Sequence, residues 1–324
     1  FADHIILLRA RSFEREDQKI DQIVKKYAKV VLVEDETVVF DEAERRQKML
    51  DKAREFPGEN LIFTLDADEI LSANILDEKV YAQLVANLKP GRSALLQWIM
   101  LWSNPLQYRY DDNPAWSNNW KHFVYWDDRK INFEKGGFMH LGRVPPACQK
   151  DPYKFSEVKV LHFNYLATAL FEAKTTFPLL LEYHLKKDRN IIRLNNKYIW
   201  YKIHPLFKPM ILLRTPRAWF AGYAESNIDL TKIEVPSFLW QDLEVLKIFK
   251  DSNLTEFKWL YIWHVNWEKK RQSAIKNGLK ELVPDSPIID PRNLLNKFYH
   301  GNIVLISSIS KLFYYLFLKK HSAI

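Results

Sequence analysis

The chain has 324 residues, of which 47% are apolar, 14% aromatic and 27% charged. That is enough apolar material for a sizeable core, in one large domain or two, and 8 Gly with 15 Pro exclude a low-complexity chain. The single Cys148 excludes an intramolecular disulfide framework and points to a reducing setting, and the +8 net charge is uneven: residues 246–324 carry 11 Lys and 2 Arg against 3 Asp and 3 Glu.

A basic end of this kind attracts nucleic acid, anionic lipid or nucleotide phosphates, or is a plain solvated surface. No nucleic-acid-binding motif accompanies it, so no nucleic-acid partner is expected.

In chain order, HIILL (4–8) reads as a buried strand. The chain opens on Phe1, almost directly on that strand, which leads to the expectation of a preceding N-terminal segment. Ile20, Ile23, Val24 and Tyr27 stand at helical spacing, VVLVE (30–34) is a second strand, and residues 41–55 are helical in composition. LIFTL (61–65) is a third strand, ending in Asp66, Ala67, Asp68 and Glu69. A helix is expected from Asp77 to about Leu88, a turn at KPGR (89–92) and a strand at ALLQWIMLW (94–102). The polar, aromatic stretch 108–120 reads as a loop, HFVYW as a short strand with a turn at DDRK, and EVKVLHFNYL (157–166) as a further strand carrying His162. Strand and helix alternate as in an α/β fold with a mainly parallel, Rossmann-like sheet flanked by helices. The expected division is 1–168 as the ligand-binding region and 169–324 as a mostly helical, aromatic-rich region. Ile303–Leu318 is strongly apolar, but its 16 residues fall short of the roughly 20 that span a bilayer. With Lys319 and Lys320 behind it, the segment 303–320 suits a peripheral membrane contact, a core-packed helix or a partner-binding helix.

Carboxylates delivered at the carboxyl end of a strand suit a hard cation, Mn²⁺ or Mg²⁺, and hence a phosphate-bearing substrate. Asp68 is the leading metal ligand, Asp66 a second ligand or a hydroxyl acceptor, and His162 the third ligand, imidazole suiting Mn²⁺ better than Mg²⁺. The competing reading places the acids in the first turn of a helix, capping amides.

The order ADHII, KYAKVVLVED, the Arg-containing helix, IFTLDADEIL, GRVP (142–145), VKVLHFNYL, FLWQDLEVLKIF and FKWLYIWHVNW resembles the family 2 glycosyltransferases of GT-A fold, in the bacterial branch with an L-D-A-D-E motif. The resemblance covers most of the chain. It implies a nucleotide-diphosphate sugar donor, a UDP-sugar first, a glycan or glycoconjugate acceptor, and a divalent cation on Asp68, Asp66 and His162. It also implies an inverting reaction with a general base, for which Asp127 and Asp128 in the turn WDDR, and Asp111 and Asp112 in the polar loop, are candidates. Arg45, His140, Arg143 and Trp120 are candidate substrate-binding residues, and Arg143 suits a phosphate. Trp98 and Trp102 read as core, Trp116 and Trp120 as surface aromatics. The expected setting is cytoplasmic, at the inner face of a membrane. The chain departs from the family at LLRARSFERED, where Arg9 and Arg11 stand in place of an acid. That departure favours the alternative, a catalytically inactive relative that binds a glycan or a protein.

Overall fold

A computed structural model describes residues 2–10, 18–36, 41–111, 117–134, 142–203, 210–223 and 238–313. The chain divides into two compact units, Phe1–Tyr165 with Leu212–Ile233, and Leu166–Ile211 with Glu234–Ile324.

In the first unit β1 (Ile5–Ala10) and β2 (Val30–Asp35) pair in parallel, Ile5 opposite Val30 and Arg9 opposite Glu34. Helix α1 (Gln18–Lys26) supplies the crossover that a parallel pair requires. Helix α2 (Glu42–Arg54) starts at Asp41, whose carboxylate accepts the amides of Ala43 and Glu44.

A second, larger sheet holds β3 (Asn60–Phe63), β4 (Glu69–Leu71), β5 (Ser93–Trp102), β6 (Asn104–Arg109), β7 (Trp120–Asp127), β8 (Tyr153–Tyr165) and β9 (Leu212–Arg214). β5 is its hub, with β8 along one edge and β7 and β6 in succession along the other. The architecture is mixed α/β, but the expected mainly parallel sheet is corrected. Within this sheet β5–β8 is parallel, whereas β3–β7, β4–β8, β5–β7, β5–β6 and β6–β9 are antiparallel. Connection length accounts for one of these pairs, β5–β6. A parallel pair needs a dozen or more linking residues, whereas β5 and β6 are separated by Ser103 alone, in left-handed backbone at φ 61°. The last two residues of β6, Tyr108 and Arg109, fall in what reads in sequence as a loop, and β9 lies in the stretch expected to be mostly helical but pairs with β6 in the first unit.

Helix α3 (Glu78–Asn87) seats Leu84 against Leu71, Ile75, Leu96, Phe123, Phe155, Val158 and Val160, all buried. Leu50 of α2 meets Tyr125, Val144 and Cys148 in a second buried cluster. Each such side chain contributes about 1.5–3 kcal/mol by leaving water.

The second unit holds α4 (Thr168–Leu185), α5 (Ile191–Ile203), α6 (Trp240–Lys250), α7 (Trp267–Lys276), α8 (Leu294–Gly301) and α9 (Ile303–Phe313). Its aromatic content is core: the rings of Phe249 and Trp263 stack at 5.4 Å, and Phe257 and Trp267 are buried beside Phe249. Buried Asn195 ties three segments together, donating to the Trp259 carbonyl and the Tyr299 hydroxyl and accepting the Tyr261 amide. Among the described residues no helix is long and apolar enough to cross a membrane.

Candidate active site

The acidic cluster does not begin a helix. It is a closed turn between β3 and β4: the Glu69 amide donates to the Asp66 carbonyl at 3.0 Å, and the Asp66 amide donates to Glu69 Oε2 at 2.9 Å. The helix-cap reading therefore fails, because the turn leads into β4, paired antiparallel with β8 in the register Glu69 opposite His162. The carbonyl of Asp68 accepts the Phe163 amide at 3.0 Å, which fastens the turn to β8.

The turn sends its three carboxylates in different directions. Asp68 Oδ2 stands 3.0 Å from His162 Nε2, across 94 positions of sequence. His162 is buried, stacked on Trp98 at 4.7 Å, with its Nδ1 3.2 Å from Met100 Sδ. The ring is therefore fixed on two sides, and one nitrogen always faces Asp68. Asp66, 47% exposed, accepts Arg143 Nη2 at 2.7 Å and lies 3.9 Å from Arg46 Nη2. Glu69 turns inward, its side chain fully buried, and takes Arg143 Nη1 and Nη2 at 2.8 and 2.7 Å. Burial pushes the Glu69 carboxyl up to about 7 against the opposing pull of Arg143, with Asp66 adding to the rise. Arg143 itself lies over the rings of Phe123 and Trp98, at 4.7 and 5.2 Å.

Two residues here carry no role in the sequence reading. Glu69 was detectable: in a strand Glu69 and Leu71 point to the same face, and Leu71 is core. Arg46 takes the place expected of Arg45. Successive helical residues diverge by about 100°, so Arg45 turns instead to buried Asp35, at 2.7 Å, alongside Lys48.

Of the candidate bases, Asp127 and Asp128 lie away from this cluster. Asp127 pairs with Asn60, at the far end of β3, several strand residues and roughly 15–20 Å of chain away from Asp66. Its carboxylate is buried on Arg54, at 2.7 and 2.9 Å, and accepts the Arg129 amide. Asp128 accepts the amides of Lys130 and Ile131; burial pushes its carboxyl up, and those two bonds outweigh it and hold it below the ordinary carboxylate range. Asp111 is buried on Arg109 at 2.6 Å. Trp120 donates to Asn118 and lies under Lys154 Nζ at 4.2 Å. Trp102 stacks on Tyr165 at 5.1 Å. His140, Asp112 and Trp116 lie outside the described residues.

Among the described residues no group of three His, Cys, Asp or Glu side chains stands ready to hold a metal ion. The pair Asp68–His162 nonetheless fits a cation that takes its other ligands from a substrate. Without a metal the two atoms are hydrogen-bonded at 3.0 Å, and the same separation is what two ligands about 2.1 Å from a metal on adjacent octahedral positions would show. No protein-family model and no curated protein matches the chain.

Proposed function

We propose that the chain is a metal-dependent, inverting glycosyltransferase that moves a sugar from a nucleotide-diphosphate donor to a glycan or glycoconjugate acceptor. The observation that carries the reading is the contact of Asp68 with His162, two residues of the types a Mn²⁺ site uses, fixed at 3.0 Å by a turn and a strand distant in sequence. The order β1–α1–β2–α2–β3, ending at the acidic turn, supports a GT-A-like fold.

In this reading Asp68 and His162 would hold the cation, which would supply charge neutralisation for the departing diphosphate. With the cation bound, a proton on Nδ1, beside Met100 Sδ, would leave the Nε2 lone pair for the metal. Asp66 is kept at the mouth of the turn by Arg143 and is placed to accept a ribose hydroxyl. Arg143 and Arg46 supply positive charge for phosphate oxygens. Asp127 takes no part, being committed to Arg54.

The test is release of nucleoside diphosphate from a panel of nucleotide sugars, with Mn²⁺ and with chelator. Wild type is expected to act with Mn²⁺ alone, and Asp68→Ala and His162→Ala to lose at least about 100-fold. Full activity in Asp68→Ala would overturn the proposal.

One observation favours a second reading, an inactive glycan- or protein-binding relative. Arg9 closes the carboxyl end of β1 with bonds to Glu34 and to Asp21, at the position where the resemblance calls for an acid. Titration calorimetry with UDP-sugars decides: this reading requires no heat that depends on Mn²⁺.

A further inference from the structure

Helices α8 and α9 each turn several large apolar side chains outward. In α8 the polar Asn296 and His300 are buried, whereas Leu294, Leu295 and Phe298 face outward. In α9 Ile303 and Ser307 point inward, Ser307 donating to Asn196, and Leu305 and Ile309 point outward. The exposed residues recur at four-residue spacing, so each helix presents one continuous apolar stripe. Together with Ile289 these are the six most exposed large apolar side chains among the described residues, from 58 to 87% accessible. Single exposed large apolar side chains are ordinary, but six gathered within 21 residues, with Asn296, His300 and Ser307 buried on the same two helices, are a patch that marks a contact surface.

The charge of the sequence that carries these helices selects the partner; Arg292 is paired with Asp290, beside Ile289, and the lysines have no acidic neighbour in sequence after it. Residues 291–324 carry Arg292, Lys297, Lys311, Lys319 and Lys320 and no Asp or Glu. Exposed Lys297 stands on α8 between Leu294 and Phe298. Apolar side chains flanked by lysines are the composition of a helix lying in the plane of a membrane interface, its stripe in the acyl boundary and its lysines at anionic headgroups. We infer that α8 and α9 form an in-plane docking face for an anionic lipid bilayer. The inference goes beyond the proposed activity and does not depend on it.

The experiment is co-sedimentation of the full chain with vesicles of phosphatidylcholine, with and without phosphatidylglycerol, at low and high salt. Wild type is expected to bind the anionic vesicles, less tightly as salt screens the lysines. The triple variant Leu294→Gln, Leu295→Gln and Phe298→Gln alters exposed side chains only. It is expected to keep the wild-type unfolding transition and lose roughly tenfold or more in vesicle partitioning. The inference is overturned if wild type stays in the supernatant, or if the triple variant partitions equally. It is also overturned if wild type is a dimer that ignores vesicles and that the triple variant dissociates, since a second copy then covers the face.

Discussion

Removing the Asp127 carboxylate separates a structural acid from a catalytic one. Its two oxygens accept Arg54 Nε and Nη2 at 2.9 and 2.7 Å, and its side chain is 1% exposed. The same guanidinium donates to the Ile131 carbonyl and to Asn132, so it stays in place when Asp127 goes. Asp127→Ala therefore leaves a largely buried cation without its counter-charge, which costs about 3–5 kcal/mol. For a unit of this size, roughly 2–4 °C per kcal/mol, the first unit's transition falls by about 6–20 °C. Replacing both partners, Arg54→Met with Asp127→Leu, removes the stranded charge and is expected to recover most of the loss. Thermal and urea unfolding, followed by circular dichroism and tryptophan fluorescence, measure all three variants. Asp127→Ala unfolding within about 0.5 kcal/mol of wild type would refute the reasoning. So would a stable Asp127→Asn that lacks the proposed transferase activity when wild type shows it, since the acid would then be serving chemistry.

Arg143→Ala strands the fully buried Glu69 in the same way and is expected to cost about 3–5 kcal/mol, whereas Arg143→Ala with Glu69→Gln costs clearly less in urea unfolding. In the second unit Glu268 accepts Arg271, Gln272 and the Ile288 amide. Burial pushes this carboxyl up, and the donated bonds outweigh it and hold it at about 2, below the ordinary 4.5. A depressed pKa contributes stability that is present above 4.5 and lost as pH falls toward about 2, so the gap between wild type and Glu268→Gln narrows over that window.

Much of this molecule is legible along the chain. The apolar run before Asp66 is β3, the helix after Asp77 is α3, and the run around His162 is β8, because each depends on periodicity within a few residues. The identities of Asp68 and His162 as candidate partners are also read from residue type, strand position and the resemblance. Strand direction is not local in this way. Only the β5–β6 direction follows from a short connection, and β6 lies mostly in residues 104–107, to which the sequence reading assigns no element. Partner choice is less local still. Asp127, Asp66 and Glu69 are the same chemistry in sequence, yet closure of the sheet commits Asp127 to Arg54, Asp66 and Glu69 to Arg143, and Asp68 to His162. The two apolar stripes of α8 and α9 make the same point from the surface. Their periodicity is a property of the sequence, but burial of Asn296, His300 and Ser307 on the same two helices, which turns the stripes outward, is a result of packing alone. The acidic turn is thus a sequence feature, and its division into an outward pair and a buried anchor is set by the strands that close around it.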